Sequence, residues 1–237
     1  ACIMARLIVP KYTTGAVNDG EKRVIDYLSN NLSPIPTIND FDSQWGNEEY
    51  VLIPNVEIPD NTNRFLEIDA ILISPHAVYV IEVKDWGPKI EGNDQFWYLN
   101  GTRERSNPHR TLNYKCRVLR SLIEKQIPDA RKIWYQGIVI VSKDYADLDL
   151  DGNCASLTFL LNQGLIEYIK SYQNLRPAFE ISENEIKSYQ KEITGCILGK
   201  GKAKSGPKVI QGYQVEEKLS EDENKIEYLA RSAYGNK

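Results

Sequence analysis

"EIDAILISPHAVYVIEVKDWG", residues 67 to 87, holds two runs of Ile, Leu, Val and Ala joined by Ser74-Pro75-His76-Ala77. Apolar runs flanking a Ser/Pro turn predict an antiparallel hairpin. If the turn centres on Pro75-His76, Ser74 faces Ala77, and the same register sets Asp69 opposite Glu82 and Glu67 opposite Lys84. Alternate residues of a strand share a face, so Val78, Val80, Glu82 and Lys84 project together. Opposed Cβ atoms of an antiparallel pair lie about 4.5–5.5 Å apart. The backbone alone would therefore hold two carboxylates close together, and like charges at that range repel unless something positive sits between them. A hard divalent cation meets that need. Mg2+ takes oxygen ligands, commonly one or two carboxylates plus water and phosphate oxygens, and Lys84 stands beside the pair as a mobile point charge. Phosphodiester hydrolysis requires that combination: a cation to stabilise phosphoryl charge and acidify a water, and a lysine to orient the water or offset charge.

The same spacing also fits a half-exposed strand in which Asp69 and Glu82 are solvated and Glu67 and Lys84 form a cross-strand ion pair. Both strands are apolar on both faces apart from these residues. That pattern favours a covered sheet, in which charges need a reason.

The rest of the chain supports a globular α/β protein. Its 237 residues are 41% hydrophobic and 26% charged, with a net charge of -4, enough for a real core and without a global basic field. Cys2, Cys116, Cys154 and Cys196 lack Cys-x-x-Cys spacing and only two histidines accompany them, which argues against zinc and for reduced thiols. The opening "ACIMARLIVP" carries Arg6 and is too short for a signal peptide, and no apolar run approaches the roughly 20 residues of a membrane span. A cytoplasmic location is expected.

Residues 18 to 32 predict a helix started by Asn18 or Asp19, with Glu21 on its core-facing side. Residues 49 to 58 read as a strand broken near Pro54, and "GPKIEG" and "QFWYLNG" as short extensions of the sheet. From 109 to 126, Leu112, Cys116, Leu119 and Ile123 form a single apolar helical stripe. Residues 133 to 142 read as a buried strand, 156 to 172 as a helix, and Ser182 with Glu185 as a capping box for a helix reaching about Ile193. The domain is expected to end near 197, followed by a lysine- and glycine-rich linker over 198–211 and a short tail over 212–237.

Glu21, "EIDAILIS" with Asp69, "VIEVKDWGPKIEG" with Glu82 and Lys84, and Asn107-Pro108 before a helix together resemble the nuclease-related domain (NERD) of the PD-(D/E)xK nuclease superfamily, over roughly residues 15 to 145. The resemblance implies a restriction-endonuclease-like α/β core with a mixed central sheet flanked by helices. It implies Glu21, Asp69, Glu82 and Lys84 as catalytic residues, with Asp69, Glu82, Glu21 and the Val83 carbonyl holding Mg2+, for which Mn2+ substitutes. Ile68 stands where the superfamily has Pro, and Thr111 where the family usually has Gln.

Residues 101 to 135 hold nine Lys or Arg against three Asp or Glu. Arg110, Lys115, Arg117 and Arg120 beside the site are expected to hold a nucleic-acid backbone, DNA in the family's terms, through phosphate contacts. Trp86, Trp97 and Tyr98 read as packing aromatics more readily than as base-stacking ones, and His109 as a surface histidine. The tail resembles the opening hairpin of a protein kinase N-lobe without its Gly-rich loop, so no kinase activity is expected from these residues, while a fused kinase-like effector is. The leading expectation is a Mg2+-dependent DNA endonuclease, by family analogy in bacterial defence. The alternatives are a nucleic-acid-binding or sensing module without hydrolysis and a dimerising scaffold. Cutting both strands of a duplex commonly calls for two active sites, which a homodimer would supply.

Overall fold

A computed structural model describes residues 5–7, 18–32, 50–62, 64–171, 183–203, 209–210, 213–221 and 226–232. After β1 (Ala5–Leu7), Asn18 opens α1 (Asp19–Leu32) by accepting the Glu21 backbone N–H on its Oδ1 at 2.9 Å. This satisfies a donor that a helix start leaves open. The helix buries Val24, Ile25, Leu28 and Leu32, and Glu21 with them. β2 (Tyr50–Pro59) does not break at Pro54 but inverts at the next residue, Asn55, whose φ is 53°. Asn tolerates that left-handed value better than most side chains. Consequently Val51 and Ile53 share one core with Val56 and Ile58, although their numbers differ in parity.

The quoted hairpin forms as β3 (Phe65–Ile73) and β4 (Val78–Lys84), with Ile73 opposite Val78 and Ala70 opposite Ile81, the register set by the turn. Ser74 closes that turn, its Oγ accepting the His76 and Ala77 N–H groups and donating to the Ala77 carbonyl.

Next come β5 (Lys89–Gly92), β6 (Phe96–Leu99), β7 (Arg103–Ser106), α2 (Pro108–Glu124), β8 (Tyr135–Val141) and β9 (Asp147–Leu150). Strands β7, β6, β5 and β9 make a separate four-stranded sheet and do not extend the main one. Its inner side carries Ile90, Trp97 and Leu99 into the core, with Trp97 edge-on to both Trp86 and His109. Gly92, φ 157°, allows this sheet to fold tightly: a Cβ there would lie 2.8 Å from the Trp97 Cα.

Most of residues 156 to 162 is not helical. β10 (Thr158–Leu160) pairs in parallel with β8, and α3 spans only Gln163–Lys170, after Asn162. The main sheet runs β1-β2-β3-β4-β8-β10, parallel at β1–β2, β4–β8 and β8–β10 and antiparallel between. One face packs under α2 and α4 (Glu183–Lys200); the other packs under α1 and α3. The protein is thus α/β, with mixed sheets flanked by helices.

The last helix passes residue 197, and its expected cap Ser182 lies outside the described residues. β11 (Lys202–Ala203) then joins β2, so the start of the lysine-rich segment belongs to the main sheet. β13 (Tyr213–Glu221) and β14 (Ile226–Ser232), the two halves of the tail, form an antiparallel sheet with β12 (Val209–Ile210) from the end of the expected linker. Among the described residues, no helix is long and apolar enough to cross a membrane.

Candidate active site at the end of the β3–β4 ladder

The regular ladder between β3 and β4 stops at Ala70–Ile81, one step before Asp69 and Glu82. Asp69 also lies at the point of β3 facing Asn55, between the flanking pairs Pro54–Ala70 and Val56–Ile68. Its side chain takes over where the backbone pairing ends: Oδ2 accepts the Val83 N–H at 2.7 Å. The expected backbone pairing of Asp69 with Glu82 is therefore replaced by a carboxylate reaching the next amide. Glu67 is likewise opposite Glu57 of β2 and not opposite Lys84.

Glu82 and Lys84 are neighbours on β4, as alternation requires, with Lys84 Nζ 3.3 Å from Glu82 Oε1. A second ammonium arrives from α2: Lys115 Nζ lies 3.1 Å from Glu82 Oε2. These side chains are only 10–16% exposed, so the ion pairs are little weakened by water. Lys84 also lies over the Trp86 ring, 4.9 Å from its centroid, a cation–π contact.

α2 is aimed at β4 by its first residues. Asn107 caps it, accepting the His109 N–H at 2.9 Å, while its Nδ2 donates to the Asp94 carbonyl at 2.9 Å. Leu112, Cys116, Leu119 and Ile123 then pack on the sheet. Thr111 turns its hydroxyl back to the Pro108 carbonyl at 3.2 Å, and Lys115, one turn on, is the side chain that reaches Glu82.

Glu21 is buried, 4% exposed, on the face of α1 that packs across the sheet from α2. A clamp that the sequence reading passed over holds the first turn of α1 against the far end of β4. Arg23 Nη2 lies 2.6 Å from Asp85 Oδ1, Ser142 Oγ donates to the same oxygen, and a Cβ on Gly20 would come 3.0 Å from the Asp85 Cβ. The one available signal was the Asp directly after Glu-x-Lys. Among the described residues, no group of three or more His, Cys, Asp or Glu side chains is disposed to hold a metal ion.

His109 is not a surface residue. It is 7% exposed, and its Nε2 lies 2.8 Å from Thr158 Oγ1, whose own proton goes to the Cys154 carbonyl at 2.7 Å. His109 therefore donates from Nε2, and burial lowers its pKa to about 4 against the pull of Asp94 and Glu82. Trp86 and Trp97 are packed in the core, whereas Tyr98 is exposed. Arg110 and Arg117 are exposed on α2, while Arg120 is tied to Glu124 at 2.7 Å and to the Arg131 carbonyl at 3.2 Å. Cys116, Cys154 and Cys196 are free and buried, with burial pushing the Cys116 thiol up to about 12.

Residues 16–142 match the family model of the nuclease-related domain. A protein of Streptomyces coelicolor described as "Probable kinase PglW" is 23% identical over 184 residues, a stretch covering 75% of this chain and 11% of that relative. The chain thus spans about a tenth of the curated relative it matches. No solved structure matches it. The family match covers Glu21, Asp69, the Glu82-x-Lys84 step and the Asn107-Pro108 cap in one ordered stretch, and the chain belongs to the nuclease-related domain (NERD) family.

Proposed function

We propose that this domain is a divalent-metal-dependent endonuclease that hydrolyses phosphodiester bonds of DNA. The observation that carries the reading is the largely buried constellation at the end of one ladder: Asp69 anchored on the Val83 amide, with Glu82 and Lys84 3.3 Å apart on the neighbouring strand. Asp69, buried, and Glu82, part-buried, lie on adjacent strands and would supply carboxylate oxygens of the kind Mg2+ or Mn2+ takes, with the Val83 carbonyl as a further donor. Glu21 tunes the site from α1. When bound, such an ion supplies Lewis-acid stabilisation of phosphoryl charge and acidifies a water.

The protein's own residues do the rest. The Val83 N–H orients Asp69, and the Trp86 ring and Glu82 hold the Lys84 ammonium at the site without a long search through rotamers. Arg110 and Arg117, exposed on α2, contact phosphates and position the strand without reading its sequence. Water is the nucleophile, and bacterial defence is the setting that the family suggests.

Nicking of supercoiled plasmid in Mg2+ or Mn2+ tests this reading. Wild type is expected to nick, Asp69→Asn not at all and Glu82→Gln far more slowly; equal behaviour of all three would reject it. The likeness to a protein described as a probable kinase favours a second reading, a nucleic-acid sensor regulating a fused kinase-like effector. Salt-dependent DNA binding that survives EDTA, with no products on long incubation, would select that reading.

A further inference from the structure

Glu82 has an ammonium at each of its two oxygens. Lys84 Nζ is 3.3 Å from Oε1 and Lys115 Nζ is 3.1 Å from Oε2, so each oxygen has its own ammonium. The two lysines are not equivalent. Lys84 sits two residues along the same strand and rests over the Trp86 ring at 4.9 Å, a contact that adds to its hold on Glu82. Lys115 comes from α2, and its four-carbon stem can swing without moving either strand. On the endonuclease reading the phosphate to be cut lies at this same site, within reach of that stem, whereas Arg110 and Arg117 are exposed on the opposite side of α2.

A divalent cation coordinated by Glu82 would need an oxygen that an ammonium now occupies, and two ammoniums plus the ion would repel one another. We infer that Lys115 is a built-in stand-in for the metal: it holds Glu82 in the free protein, yields to the ion, and moves to a phosphate of the arriving nucleic acid. This rests on the endonuclease reading and adds a regulatory consequence to it. Ion and phosphate each remove Lys115 from competition with the other. By linkage each then tightens the other by the same factor, and metal is held weakly until substrate is present.

Calorimetric titration of Mn2+ into the full chain tests this, using wild type, Lys115→Gln and Lys115→Arg, each alone and with a phosphorothioate DNA oligonucleotide that resists cleavage. Circular dichroism first establishes that the variants fold. Without DNA, Lys115→Gln is expected to bind Mn2+ about tenfold more tightly than wild type. It should also lose most of the gain in Mn2+ affinity that DNA confers on wild type, while Lys115→Arg keeps that gain. An unchanged or weaker Mn2+ affinity in Lys115→Gln, with Glu82→Gln still abolishing binding, overturns the stand-in role and leaves the endonuclease reading intact. Failure of both wild type and Lys115→Gln to bind Mn2+ overturns both. The tenfold shift without DNA cleavage under any condition keeps the stand-in role and rejects the endonuclease reading.

Discussion

The two halves of the β3–β4 hairpin share a backbone and differ in what closes them. From Ala70 to Ile73 and from Val78 to Ile81 every residue is fully buried and the ladder is unbroken. One step further, at Asp69 and Glu82, the ladder ends and side chains take over its hydrogen bonding and charge balance. Burying a carboxylate is costly unless it is hydrogen-bonded or paired. Opening the ladder supplies both: an amide for Asp69 and two ammoniums for Glu82. The apolar half confers stability, and the charged half holds the chemistry on the rigid end of that structure.

Substitutions at four positions test the two halves and the packing behind them. Glu82→Gln keeps the shape of the charged half but removes its charge, and should slow plasmid nicking about 1,000-fold, or about 4 kcal/mol in the barrier. Ile71→Ala, in the apolar half, should instead cost about 2–5 kcal/mol of stability by denaturant unfolding. Protein that remains folded should still nick.

The third tests the buried linkage behind the site. His109 is held below its ordinary value of 6.5, at about 4, so its neutral form is the one the fold favours. Its contribution is therefore complete above pH 6.5 and is lost as pH falls through about 4. Unfolding at pH 7 and pH 4.5 should differ by about 2 kcal/mol on this account, and His109→Gln should flatten that difference.

The smallest difference, between two variants at one position, separates the two roles of Asp69. Asp69→Ala strands the Val83 N–H and should cost about 1–3 kcal/mol of stability, whereas Asp69→Asn keeps an acceptor and should cost less. Both should abolish nicking, and equal stability losses would show that the Val83 bond is not what Asp69 contributes to the fold.

Much of this was legible in the chain. The hairpin register follows from one turn, and the α1 and α2 helices from their apolar stripes, because these are short-range patterns repeated over many residues. Asp69, Glu82 and Lys84 stood out because they interrupt such a pattern. The separate small sheet was not legible, because it depends on β5 pairing with β9 more than fifty positions along the chain. The burial of His109 was hidden for a related reason: its partner Thr158 lies on β10, far from α2 in sequence.

The sequence by itself determined which residues alternate, which helix faces are apolar, and that a Glu and a Lys share one side of a strand, since local geometry dictates all three. Only the tertiary structure decided that Asn55 inverts its strand, that Asp69 turns to the Val83 amide, and that Lys115 completes the charge around Glu82. Each of these depends on which segment packs beside which. A periodic pattern shows that a face is buried, but not what it is buried against.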